Sequence, residues 1–238
     1  MSKLAKTYWI IGASEGLGRS LAEKLSAEGC SLILSARSET RLQEMGIPNA
    51  QILPMDVTKP ISVDAALANL PKLDGVIYCA GAYEPMTAQN WDRETGMFMM
   101  DVNVLGAMRV LPEVVQRFVE QDKGHIVLIG SLAAYHGLPG AVGYSTSKGA
   151  LMHLGENLYI DLKSTNVRVQ VTNPGFIETR LTQKNSFEMT QLMTPDQAAD
   201  HVIKHMKRSR FRSAFPYPFA GVFRILRLLP DSWVRRFF

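Results

Sequence analysis

Tyr144 and Lys148 stand four residues apart in Gly143-Tyr144-Ser145-Thr146-Ser147-Lys148, which opens an apolar-periodic stretch running to about Leu162. That periodicity predicts a helix, and residues four apart on a helix share one face. The phenol hydroxyl and the ammonium therefore look the same way. A phenol ordinarily keeps its proton to about pH 10, and a fixed cation a few ångströms away lowers that value by favouring the phenolate. The pair is equipped to give and take a proton near neutrality. The spacing is common on helix surfaces, so its meaning depends on what the chain sets beside it.

What positions the pair is an alternation of short apolar strands and helical segments. Strand patterns fall at residues 7–11, 31–35, 51–55, 74–79, 125–129 and 167–171. Helical patterns fall at 17–28, through Arg41 and Leu42, around 63–70, along 94–120 and from Tyr144 to Leu162. A helix to about Lys207 and a strand near 212–215 complete the series. Strands this apolar imply a parallel sheet covered on both faces. The expected fold is α/β: a doubly wound, Rossmann-type parallel sheet in a single domain, residues 1–217. A basic amphipathic extension, 218–238, follows it. In such sheets ligands sit outside the carboxyl ends of the strands.

Those ends carry ligand chemistry. After the first strand, Gly12-Ala13-Ser14-Glu15-Gly16-Leu17-Gly18 lets the backbone approach a pyrophosphate, with a helix N-terminus beyond to hold it. After the second, Ala36-Arg37 stands where an acid would grip the ribose hydroxyls of NAD; an arginine suits an added 2′-phosphate. Ser14 can donate to that phosphate, whereas the Glu15 carboxylate repels it. The balance favours NADP(H), with NAD(H) as the alternative. Asp56-Val57 is placed either to contact an adenine edge or, through Asp56, to cap the next helix. Cys79-Ala80-Gly81 offers small residues where a ribose must come close, and Gly130-Ser131 sets a hydroxyl at the fifth strand end. Asn173-Pro174-Gly175-Phe176-Ile177-Glu178-Thr179 forms a rigid turn able to wall a nicotinamide ring and offer Thr179 to a phosphate.

Taken together, residues 5–180 resemble the short-chain dehydrogenase/reductase family. Its glycine motif matches residues 12–18, and its Asn-Asn-Ala-Gly motif survives only as Tyr78-Cys79-Ala80-Gly81. Its catalytic asparagine, serine, tyrosine and lysine match Asn103, Ser131, Tyr144 and Lys148, with Ser131 thirteen residues before Tyr144. Pro174-Gly175 matches the turn after the sixth strand. The resemblance implies a carbonyl/alcohol oxidoreductase in which Ser131 holds the substrate oxygen and Tyr144 exchanges its proton. Lys148 is implied to bias Tyr144 and bind the nicotinamide ribose, Asn103 to kink the long helix and hold a relay water. Coenzyme contacts are implied at Gly12, Ser14, Glu15, Gly16, Leu17, Gly18, Arg37, Asp56, Val57, Ala80, Gly81, Tyr144, Lys148, Pro174, Gly175, Ile177 and Thr179. Losing both asparagines before Ala80 removes contacts that brace the central strands. A coenzyme-binding regulatory or interaction protein with little turnover is the alternative, opposed by the intact Ser131, Tyr144 and Lys148.

Composition bounds the rest. The 238 residues are 46% hydrophobic and 20% charged, which fits one large soluble domain. Met1 to Lys6 carries no signal-peptide pattern, so a cytoplasmic location is expected. Cys30 and Cys79 lie beside strands as small hydrophobes, without a disulfide or a zinc site. His201 and His205 have helical spacing but no third ligand, and read as exposed histidines rather than a metal site. Tyr135, His136 and Leu138 are expected to border the substrate cleft. The stretch 176–193 brings Phe176, Ile177, Leu181, Phe187, Met189, Leu192 and Met193 over it, favouring a hydrophobic carbonyl or alcohol. Net charge is +4, yet from Lys204 onward nine basic residues face only Asp231. In the tail, Arg224 and Arg227 are expected on one face and Phe219, Val222, Phe223, Leu226 and Leu229 on the other. That pattern fits either packing on the domain or peripheral membrane contact through 219–238. Nucleic acid is excluded because the charge is mixed with large apolar residues, and a homo-oligomer is expected.

Overall fold

The computed structural model describes residues 4, 6–185, 187–226 and 228–237. Among them, seven strands form one sheet in the order β3-β2-β1-β4-β5-β6-β7. The strands are β1 (Thr7–Ile11), β2 (Ser31–Ser35), β3 (Gln51–Ile52), β4 (Gly75–Tyr78), β5 (Gly124–Ile129), β6 (Val167–Pro174) and β7 (Arg212–Phe215). Every pairing is parallel. The strand order reverses between β1 and β4, which opens the crevice where a dinucleotide binds in this architecture. The helices are α1 (Gly16–Ala27), α2 (Glu39–Gln43), α3 (Pro60–Ala68), α4 (Arg93–Met100), α5 (Gly106–Glu120), α6 (Val142–Asp161), α7 (Pro195–Met206), α8 (Phe219–Leu226) and α9 (Asp231–Phe237).

The two-residue period of the strands divides the core. Tyr8 and Ile10 face Leu21, Leu25 and Val202 from α1 and α7. Trp9 and Ile11 belong with Val110, Val114, Leu151 and Phe223 on the opposite face. Tyr8, Trp9, Ile10 and Ile11 are each at most 1% exposed, so a one-residue slip would exchange two fully packed faces.

Three departures from the sequence pattern are local. The third strand is shorter than 51–55, although Leu53 and Met55 continue its ladder by donating to Leu34 and Ala36, and Pro54, whose alternate position faces the free edge of β3, removes no bond to β2. The long helix is broken by a π-helical turn at Asp101–Leu105, the kind of distortion that accompanies functional sites. Helix α6 begins at Val142, two residues before Tyr144.

The tail packs inward. Ala220, Phe223, Leu226 and Val234 are buried, whereas Val222 and Ile225 point outward. Val222 therefore does not share the buried face with Phe223. Arg227, like residues 1–3 of the leading segment, lies outside the described residues, as does the Arg224 side chain. Among the described residues no helix is long and apolar enough to cross a membrane.

Candidate active site

A cavity of about 1090 Å³ lies along the carboxyl ends of the strands, above the range of about 300–1,000 Å³ for a single drug-sized ligand. Its floor is the glycine turn between β1 and α1. Gly12 has φ +89°, and a Cβ there would stand 2.6 Å from the Ala80 backbone nitrogen. A Cβ at Gly18 would meet the Gly12 carbonyl at 2.0 Å. Only glycine fits either place, so the turn lies flat beneath the cavity and leaves room for a pyrophosphate above the N-terminus of α1.

At one end the cavity is lined by Ser14, Glu15, Arg37, Ser38, Arg41, Asp56 and Val57. Glu15 is paired with Arg180 at 2.7 Å and Arg41 at 3.4 Å. Its charge is thus offset, and two arginines that the sequence did not single out, Arg41 and Arg180, line the cavity along with Arg37. Asp56 accepts from the Thr58 amide at 3.0 Å and its hydroxyl at 2.8 Å. The N-cap of α3 is Lys59, so Asp56 closes the turn after β3 and does not cap the helix.

At the other end Ser131, Tyr144 and Lys148 converge on the cavity, whereas Asn103, the fourth residue matched to a catalytic position, lies buried behind its wall. Ser131 follows β5, and its amide donates to Asn173 Oδ1 at 3.1 Å. Tyr144 and Lys148 come from the start of α6 and both line the cavity with Ser131. Lys148 is 4% exposed and donates from Nζ to the Ile129 carbonyl at 3.0 Å. Burial pushes it down from the ordinary 10.5 to about 8, the neighbouring Cys79 opposing. Asn103 sits in the π-turn and is fully buried. Its side-chain nitrogen donates to the Ala82 carbonyl at 3.0 Å and Ser147 Oγ at 2.8 Å. Its oxygen accepts from the Ala82 amide at 2.7 Å. Asn103 therefore clamps the loop after β4 against α6, with no side-chain donor left over.

The expected effect of Lys148 on Tyr144 is overturned. Burial pushes Tyr144 up to about 12, a hydrogen bond from Ser131 opposes this, and Tyr83 adds to it. Lys148 Nζ stands 5.9 Å from the Tyr144 ring centroid and is turned to Ile129. Desolvation of the phenol is the larger effect at Tyr144 and outweighs the attraction of the ammonium.

Ala80, Gly81, Pro174, Gly175, Ile177 and Thr179 also line the cavity, as do Gly12, Gly16, Leu17 and Gly18. The lost asparagines have a local replacement: Tyr78, fully buried, donates to the Val102 carbonyl in the π-turn at 2.6 Å. Of the cleft residues expected from sequence, Leu138, Phe176, Leu181 and Phe187 line it, and Met193 is buried through its bridge to Ile177. His136, Met189 and Leu192 do not line it. Tyr135 is buried and its hydroxyl accepts from Asn173 at 3.2 Å. Phe219 and Phe223 of the tail complete the apolar wall, with Phe219 stacked on Phe176 at 5.9 Å.

His205 corrects another expectation. It is 3% exposed, with Nδ1 at 2.7 Å from Thr172 Oγ1 and Nε2 at 2.9 Å from the Arg210 carbonyl. His201 does lie on the exposed side of α7 and stacks on Phe215. Neither Cys30 nor Cys79 forms a disulfide among the described residues, and burial raises the Cys79 thiol to about 11.

Residues 6–190 match the family model for short chain dehydrogenase. The chain belongs to the short-chain dehydrogenase family. It is 34% identical over 242 residues to an uncharacterized oxidoreductase of Myxococcus xanthus, covering 95% of this chain and 93% of that one. It is 35% identical over 185 residues to the sulfoacetaldehyde reductase of Chromohalobacter salexigens, covering 73% of each. The fold matches a Burkholderia cenocepacia short-chain dehydrogenase solved with NADP, at TM-score 0.89 and 21% identity, over 99% and 98% of the two chains. This short-chain dehydrogenase is accordingly an oxidoreductase that uses a nicotinamide coenzyme and acts on the CH–OH/C=O pair. The flat glycine turn, the helix N-terminus and the long cavity fit that coenzyme.

Proposed function

We propose that this short-chain dehydrogenase interconverts a hydrophobic carbonyl and its alcohol using NADP(H), with Tyr144 as the proton donor and acceptor. The observation that carries this is the meeting of Ser131, Tyr144 and Lys148 on one cavity, walled beyond them by apolar side chains. When bound, the coenzyme supplies the hydride. Ser131 holds the substrate oxygen where negative charge grows. Tyr144, its proton kept by burial, delivers that proton to the oxygen in reduction and takes it back in oxidation. Lys148, charged below about pH 8, lends positive charge to the same end of the cavity and is the residue assigned to the nicotinamide ribose.

Preference for NADP(H) is supported by Arg37 at the cavity rim, with Arg41 beside it and Glu15 already paired. A hydrophobic substrate is supported by Leu138, Phe176, Phe187, Phe219 and Phe223. Lipid-derived molecules belong to that class, and the outward Val222, Ile225, Leu228 and Trp233 give the tail a face suited to a bilayer surface. Exposed Met97, Phe98, Leu105 and Met108 around the π-turn are suited to a second copy of the chain.

The test is carbonyl reduction over a panel of aldehydes and ketones, followed at 340 nm with NADPH and NADH. NADPH should be preferred, and Arg37→Leu should narrow the preference. Tyr144→Phe should lose about 10²–10⁴-fold in turnover, the usual worth of a positioned acid, while still binding NADPH. Wild-type turnover in that variant refutes the assignment.

A further inference from the structure

Tyr83 belongs to no motif, yet it lines the cavity and touches Tyr144 and the end of the segment that closes it. Its loop, between β4 and α4, is pinned at both ends. Ala82 is held by Asn103 through both its amide and its carbonyl. Met86 donates to the Gly140 carbonyl at 2.8 Å and bridges Ala141, at the foot of α6. Between these anchors the Tyr83 ring meets the Tyr144 ring edge to face, with centroids 4.8 Å apart and planes at 76°. Its hydroxyl reaches the other way and donates to Asn185 Oδ1 at 2.6 Å. Its carbonyl accepts from Lys184 Nζ at 3.2 Å, and Lys184 also pairs with Glu84. Lys184 and Asn185 end the segment from Ile177 that closes one side of the cavity.

We propose that Tyr83 is a positioning residue: its ring sets the orientation of Tyr144, and its hydroxyl makes that setting depend on the 177–185 segment being seated over the cavity. The proposal rests on the reading of Tyr144 as proton donor. A phenol has two rotatable side-chain torsions, and the pinned backbone together with one hydroxyl bond fixes both. An edge-to-face contact has a defined geometry, so fixing one ring restricts the other. With the segment lifted, the Asn185 bond is lost and the Tyr83 ring is free to turn. Tyr144 then loses one wall of its pocket, and water gains access to its hydroxyl. Proton delivery is thereby confined to the closed cavity. Tyr83 also raises the proton affinity of Tyr144 electrostatically, in keeping with two side chains held in contact.

The test perturbs the far end of the contact and reads at Tyr144. The full chain is labelled with 3-fluorotyrosine, and the Tyr144 resonance is assigned by its loss in Tyr144→Phe. Asn185→Ala and Tyr83→Phe each remove the hydroxyl bond and leave both rings in place. Both should displace or broaden the Tyr144 resonance in the same way, with melting midpoints near that of the wild type. With 4-nitrobenzaldehyde and NADPH as the probe, kcat should fall by about tenfold in both, within the range set by small misplacements of a reacting group. The KM for NADPH should not move. A Tyr144 resonance at its wild-type position in both variants overturns the proposal, and so does a change in Tyr83→Phe alone. A wild-type protein that reduces no carbonyl would refute the oxidoreductase reading, yet leave the resonance comparison intact.

Discussion

Replacing Lys148 by methionine should make the protein more stable at pH 7 while stopping turnover. Burial lowers Lys148 from 10.5 to about 8. Carrying its charge at neutral pH therefore costs the folded state about 3 kcal/mol, at 1.36 kcal/mol per unit. Methionine fills similar space without charge, but it forfeits the bond to the Ile129 carbonyl, which costs about 1–2 kcal/mol. The net gain is about 1–2 kcal/mol, a rise in Tm of about 3–6 °C for a chain of this size. The pH dependence separates this cause from better packing. Between about pH 8 and 10.5 the folded protein has released the Lys148 proton and the unfolded chain has not. The unfolded state binds more protons there, so wild-type stability gains with pH relative to the variant. By pH 9.5 about 2 kcal/mol of the penalty has gone, and the two melting points should nearly coincide. The raised Cys79 and Tyr144 act with the opposite sign at higher pH, but both variants contain them. Thermal melts at pH 7 and 9.5 make the comparison. A variant that melts lower at pH 7, or a gap that widens with pH, refutes the argument.

Two further outcomes follow from single contacts. Tyr78→Phe leaves the Val102 carbonyl without its donor, at a cost of about 1–3 kcal/mol. Its melting point and kcat should fall together as the turn carrying Asn103 loosens; an unchanged melt would show that the bond braces nothing. For the tail, removing residues 218–238 would also strip Ala220, Phe223, Leu226 and Val234 from the core, so point variants give the cleaner test. Ile225→Glu with Leu228→Glu should abolish sedimentation with anionic phosphatidylglycerol vesicles and spare turnover of a water-soluble aldehyde. Equal sedimentation of both proteins would count against membrane contact.

The sheet was legible because its cause is local. Runs such as Tyr8-Trp9-Ile10-Ile11 and Ile126-Val127-Leu128-Ile129 are too apolar for anything but a strand buried on both faces. Gly12 and Gly18 announce a turn that no Cβ could enter. Tyr144 and Lys148 were found by helical spacing and Ser131 by the family resemblance, and the three line one cavity. The residues that adjust them were not legible. Tyr83 and Asn185 lie 102 positions apart, as part of a contact set by how two loops fold over the strand ends. Arg180 and Glu15 are 165 apart, and Phe219 reaches the cavity only because the tail folds back over Phe176. His205 looked exposed because helical spacing does not say which face α7 turns to the sheet.

Sequence alone therefore determined the strand and helix pattern, the glycine turn and the identity of the groups that meet at the strand ends. It did not determine their protonation. Spacing placed Tyr144 and Lys148 on one side of a helix and suggested an acidified phenol. Tertiary packing buried Lys148, left Tyr144 half-buried in a desolvated pocket, turned the ammonium to the Ile129 carbonyl and raised the phenol instead. The reason is physical: spacing along a helix fixes direction, whereas a pKa is set by the solvent and charges that packing leaves around the group.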